Sequence, residues 1–355
     1  MQAEKIWKVS TGSGVRVAVI DGGVDPSSKA LEGRVLPGKD LSGAPGDETR
    51  DESGHGTTMA EYIAGSGKDG SIKGLAPDAK IIPFRTTIKG MKGADTTKDN
   101  LGKAIRAAAD SDAKIINMSL GGAPHPAVKE AVRYATNKGK LLIASTGNDA
   151  KKGNHDNYPA AYPDVVAVAA TDKAGKVADY SNYSQHTVLS GPSVDLPAWC
   201  DGKKQKYCPG GGTSTASALV SASAALIWSH HPDWTSNQVL RVMIKTAGLK
   251  GDKPSKYVGY GEVRPRMNLL EGEGDPGDPD ISPLTGERTL NTKPDKSSSE
   301  AKGSDKEAAP DKVKVADSER EGGGNSGLWV AAGAGAAVLV IGGGTALAIR
   351  RARRG

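Results

Sequence analysis

The 355-residue chain has little aromatic material: Phe, Trp and Tyr together make up 4%, with a single Phe. A core without large rings must be filled by small side chains in close contact, and 47 glycines suit the tight turns this requires. Cysteine is scarce as well. Cys200 and Cys208 are the only two, in a polar, Gly-rich stretch without neighbours at metal-ligand spacing, which argues against zinc. The pair reads as a small disulfide loop, with two free thiols as the alternative, and a disulfide would place this region outside the cytosol. No Asp-rich loop has calcium-ligand spacing, so no cofactor is expected and a structural calcium is not readable. Met1 to Gly14 lacks the apolar core of an export signal. Distributed positive charge is missing too. The net charge is +6, but Arg350, Arg351, Arg353 and Arg354 supply four of these at the C-terminus, leaving about +2 elsewhere. The composition does not indicate a nucleic-acid partner.

What is present is an alternation of strand and helix patterns. Val15 to Ile20 reads as a buried strand ending in Asp21-Gly22-Gly23. Further strands are expected at 80–85, 114–118, 141–145, 165–169 and 187–190, and helices at 98–110, 126–138, 214–229 and 236–247. The small and apolar residues after His55 suit another buried helix. This β-α-β order predicts a mostly parallel sheet covered on both faces. An acid at the carboxyl end of a parallel strand lies where such sheets build their sites.

After Leu270 the composition changes to Gly, Pro, Ser, Asp, Glu and Lys, which predicts a disordered linker over 271–327. Residues 328–349 carry no charge and, at roughly 33 Å as a helix, are long enough to span a bilayer. The basic tail 350–355 then favours a cytoplasmic C-terminus, with residues 1–327 outside the cell. Export would need an apolar leader, and Met1 to Gly14 of this chain does not read as one. Either its natural N-terminus is missing or the protein is tail-anchored facing the cytosol, and the cysteine pair and arginine cluster favour the first.

Four groups stand in the order Asp21, His55, Asn148, Ser214. A serine hydroxyl is a weak nucleophile that needs a histidine to take its proton and an acid to orient the imidazole. Ser214 opens a helix, whose first N–H groups lack intrahelical partners and can hold an oxyanion. The Asn148 amide supplies a second donor.

The motifs Val19-Ile20-Asp21-Gly22, His55-Gly56-Thr57, Gly74-Leu75-Ala76-Pro77, Asn117 to Gly122, Thr146-Gly147-Asn148 and Gly212-Thr213-Ser214 resemble those of the subtilisin-like serine proteases, or subtilases. The likeness covers about residues 4–270, so 1–270 is expected to be a peptidase domain with the three-layer α/β subtilisin-like fold. It implies that Asp21 orients, His55 is base and then acid, Ser214 attacks, and Asn148 stabilises the oxyanion, as in subtilisin. It also implies that a peptide substrate lies along Ser119, Leu120, Gly121 and Gly122, with Thr146 and Gly147 walling the primary pocket. Domain, linker, span and arginine tail together resemble the mycosins, membrane-anchored proteases of type VII secretion systems. That layout implies secretion-linked protein substrates and possible secretion-complex partners. A scaffold subunit that keeps the protease fold mainly for docking is the alternative. A serine esterase would need a Gly-x-Ser-x-Gly elbow, which Ser214 does not have.

Overall fold

The structure, a computed structural model, describes residues 2–88, 90–94, 99–200, 206–249, 251 and 253–289. All of these fall within the compact unit Met1–Ser298. In chain order the elements are α1 (Ala3–Ile6), β1 (Arg16–Asp21), β2 (Lys39–Asp40), α2 (His55–Ala64), β3 (Lys80–Arg85) and α3 (Asn100–Ala109). They continue with β4 (Ile115–Met118), α4 (Pro126–Asn137), β5 (Leu141–Ser145), β6 (Val166–Thr171) and β7 (Thr187–Pro192). The last are β8 (Val194–Trp199), β9 (Tyr207–Gly211), α5 (Thr213–His230), α6 (Ser236–Lys245) and α7 (Pro265–Leu269).

Seven strands form one sheet in the order β2-β3-β1-β4-β5-β6-β7, and every neighbouring pair is parallel. Successive side chains point to opposite faces, so the near-continuous apolar strands feed two cores. Val17, Val19, Ile115, Ile143 and Val168 join α2, α5 and α6 on one face. Ala18, Ile20, Ile116, Leu142 and Ala167 join α3 and α4 on the other. This is the expected three-layer, mostly parallel α/β arrangement. Helix α5 is buried along nearly its whole length and passes beneath β4 to β7. Ala216, Ala218, Ala222, Ala224 and Ala225 keep it thin enough to lie close to the sheet.

Two expectations need correction. The expected Cys200–Cys208 disulfide is present, but the residues flanking it are strand, not loop: it ties together the ends of β8 and β9, which pair as an antiparallel hairpin. Pro197 and Pro209 face each other in it, and proline is tolerated only where a ladder bond is not needed. Those prolines conceal the strands from a pattern reading. The second correction concerns the linker. Its first part, 271–289, is ordered against α6: Arg241 donates to the carbonyls of Pro276, Asp278 and Ile281, and Asn237 to that of Pro279. Hydrogen bonds to carbonyls hold this segment, with Leu284 packed against the core, so its polar composition misleads. The rest of the expected linker, the span 328–349 and the tail 350–355 lie outside the described residues. Among the described residues no helix is long and apolar enough to cross a membrane.

Candidate active site

The carboxyl edge of the parallel sheet collects the chemistry. Asp21 is the last residue of β1, Ser119 follows β4, and Thr146 follows β5. Helix α2 begins at His55 and packs against β1. Its first turn is held by Asp51, which is 3% exposed. One Asp51 oxygen accepts from the backbone of Gly54 and the other from the backbone and hydroxyl of Thr57, at 2.7–2.9 Å. A carboxylate at a helix N-terminus satisfies orphan N–H groups and favours the dipole.

His55 Nδ1 lies 2.9 Å from both Asp21 carboxylate oxygens. Asp21 is 1% exposed, and its Oδ1 also accepts the Gly22 N–H at 2.8 Å. A neutral ring with Nδ1–H toward Asp21 leaves the lone pair on Nε2. Burial works against a charged ring, but the Asp21 carboxylate, its hydrogen bond and the more distant Asp51 outweigh it, and the His55 pKa is pushed up to about 9. The pair therefore contributes stability fully below pH 6.5, and the contribution is lost as pH rises through about 9.

The close approach of α2 to β1 depends on Gly56. A Cβ there would stand 2.1 Å from the Gly23 carbonyl oxygen and 2.9 Å from Asp21 Cβ. Gly56→Ala should push His55 off Asp21 and cost about 1–3 kcal/mol of stability. Thermal unfolding checks this, and an unchanged melting temperature would contradict the packing described.

Ser214 is the second residue of α5 and 9% exposed. Its hydroxyl donates to the Ser119 carbonyl at 3.2 Å, while the Ser119 hydroxyl donates to the Ser214 carbonyl at 3.0 Å. Asn117 donates to the Ser119 hydroxyl and accepts from Ser221. This buried chain fixes the end of β4 to the start of α5. Among the described residues no hydrogen bond joins His55 to Ser214. The structure thus brings Asp21 to His55, and Ser214 to Ser119, but does not close the last link of the expected triad.

Asn148 is exposed beyond β5 and oriented by Thr213, whose N–H and hydroxyl both donate to its Oδ1, at 2.9 and 3.1 Å. That spends the oxygen and leaves the amino group for another acceptor. Gly147 N–H donates to the Thr213 hydroxyl. Thr146 is buried and tied to Val168. Asn182 clamps this turn, accepting the Asp149 N–H and donating to the His155 carbonyl. Along the other wall, Gly121 and Gly122 are exposed, Leu120 is half-buried, and Gly122 exchanges backbone hydrogen bonds with Tyr158. A Cβ on Gly121 would stand 2.2 Å from Asn157 Nδ2. A cleft beside the Asp21–His55 pair is lined by Leu120, Gly121, Ile88, Leu101 and Tyr158 among others.

Thr213, Asn182, Asp51 and Asn157 were not among the sequence candidates. Thr213 adjoins the nucleophile candidate and could have been inferred; the others meet their partners only through the fold. Among the described residues no group of three or more His, Cys, Asp or Glu side chains could hold a metal ion.

A doubly covered parallel sheet, with an Asp–His pair at its carboxyl edge and a serine opening the helix below, defines a subtilisin-like α/β protein. The Subtilase family profile matches residues 12–261, and the chain belongs to that family. It is 35% identical over 260 residues to the thermophilic serine proteinase of Bacillus sp. (strain AK1), a match covering 72% of this chain and 62% of that one. The matching region is therefore less than two thirds of that relative's length. Among solved structures, MycP1 from the ESX-1 type VII secretion system superposes with a TM-score of 0.67 at 27% identity, covering 80% of this chain and 87% of that one. The MycP3 protease from the type VII (ESX-3) secretion system gives 0.64 at 29% identity, covering 75% and 85%.

Proposed function

We propose that the chain is a subtilisin-like serine endopeptidase in which Asp21, His55 and Ser214 form the triad and Asn148 is the oxyanion donor. The observation that carries this reading is the Asp21–His55 contact on the edge where Ser119 holds Ser214. For attack the Ser214 hydroxyl must leave the Ser119 carbonyl and reach His55 Nε2, a movement this reading assigns to rotation about its Cα–Cβ bond. His55 then takes the proton as Oγ attacks the substrate carbonyl carbon. The oxyanion is held between the Asn148 amino group and the Ser214 N–H. His55 returns the proton to the leaving amine, and water repeats the cycle on the acyl-enzyme. The peptide lies along Ser119 to Gly122 as an added strand, with Thr146 and Gly147 beside its primary side chain.

In this reading the substrates are secretion-linked proteins, and the chain is held in the cell membrane by 328–349, with the catalytic domain outside. The supporting observations are the uncharged run followed by arginines, the Cys200–Cys208 bridge, which persists in oxidising compartments, and the likeness to MycP1 and MycP3.

The test is the pH–rate profile of peptide hydrolysis. A base must be neutral, so a raised His55 pKa moves the acid limb to higher pH. The ring is 38% exposed, so water screens part of the Asp21 pull. The limb in kcat/KM should fall above the ordinary imidazole value of 6.5 and no higher than about 9. A limb below 6.5, or no turnover, would count against the assignment.

A further inference from the structure

Helix α2 carries a carboxylate that the proposed chemistry does not use. Glu61 is 0% exposed, in a helix whose residues from Gly56 to Ala64 are all buried. Burying a carboxylate is costly unless hydrogen bonds replace its water. Here three neutral donors do so: Ser28 Oγ at 2.5 Å and Trp199 Nε1 at 2.9 Å on Oε1, and Tyr207 OH at 2.9 Å on Oε2. Burial pushes the Glu61 carboxyl up, and these three donors offset only part of that rise. Trp199 and Tyr207 lie opposite each other on β8 and β9, their rings stacked with centroids 3.9 Å apart. The hairpin meets α2 twice more, where Trp199 N–H donates to Thr58 Oγ1 and Tyr62 OH to the Pro197 carbonyl.

The two ends of this contact matter. Helix α2 begins at His55, and β9 ends at Gly211, just ahead of Thr213 and Ser214. One carboxylate therefore ties the element carrying the base to the strand that delivers the nucleophile. A buried ionisable group held by neutral donors is a poor source of stability, and its best-attested use is to fix register. Reacting groups tolerate only about 0.5 Å of misplacement, so register at this contact bears on the rate.

We propose that Glu61 is a positioning residue: by holding Trp199 and Tyr207 it sets the disulfide-closed hairpin against α2 and so places Ser214 relative to His55. The inference rests on the protease reading, and the experiment separates the two. Glu61→Ala, Glu61→Gln and Tyr207→Phe are made in the full chain. For each, kcat and KM are measured on a chromogenic peptide, active centres are counted by fluorophosphonate titration, and thermal unfolding is followed. Glu61→Ala should lower kcat per active centre on the order of tenfold or more while KM changes little. Glu61→Gln keeps an oxygen for Trp199 and can donate to the Tyr207 oxygen, so it should recover most of the rate. Tyr207→Phe should cost a few-fold, and it carries the test if Glu61→Ala does not fold. An active wild type beside variants altered only in melting temperature overturns the positioning role alone. A Gln variant no better than the Ala variant does the same. A wild type without turnover overturns the protease reading and this inference with it.

Discussion

Ser214→Ala is expected to abolish peptide hydrolysis, lowering kcat on the order of 10⁶-fold, the scale known for the equivalent change in subtilisin. The variant should fold. Ser214 contributes one hydrogen bond to the Ser119 carbonyl, while the backbone of α5 and the reciprocal Ser119 contact remain. Losing one such bond costs about 1 kcal/mol, small beside the stability of a domain. A large loss of activity without loss of structure is the signature of a nucleophile. If Ser214→Ala kept a tenth of the wild-type rate, another group would be the nucleophile and the triad assignment would fail. Single-turnover assays on protein of matched melting temperature make this comparison.

The second large effect is expected at Asn148. Its Oδ1 is committed to the Thr213 N–H and hydroxyl, so its amino group is the part left for an oxyanion. Asn148→Asp keeps an oxygen where Thr213 donates and replaces the amino donor with a second oxygen. The side chain should stay in place while oxyanion stabilisation is lost. The rate constant kcat should drop at least on the order of 10²-fold with KM nearly unchanged, because the donor acts on charge that appears only in the transition state. A rise in KM at constant kcat would instead mean that Asn148 contacts the substrate in its ground state.

Much of this arrangement is legible in the residues, and the reasons differ from part to part. Strands such as Val17 to Ile20 and Leu141 to Ser145 are short apolar runs because both faces of a parallel sheet are covered, so pattern alone finds them. Helix α5 is readable from its unbroken small and apolar content. The hairpin is not, since Pro197, Pro209 and Gly210 look like loop residues until the pairing is seen. Nor is the attachment of 271–289, which depends largely on the reach of Arg241 to three of its carbonyls. Asp21, His55, Asn148 and Ser214 can be picked out by type and order. The direction of the Ser214 hydroxyl cannot, because a serine rotamer responds to neighbours such as Ser119 that only folding supplies. Glu61 shows the same limit. A glutamate within a helix of small residues looks out of place until Trp199 and Tyr207, well over a hundred positions away, are brought to it.

The most direct test of the central claim is a crystal structure of the protein after reaction with a peptidyl fluorophosphonate. The account predicts a phosphorus–oxygen bond at Ser214 Oγ, with the side chain turned away from the Ser119 carbonyl and His55 Nε2 within hydrogen-bond reach of that oxygen. The phosphonyl oxygen should lie between Asn148 Nδ2 and the Ser214 N–H. An adduct on any other residue, or an adduct at Ser214 with His55 still out of reach, would contradict it.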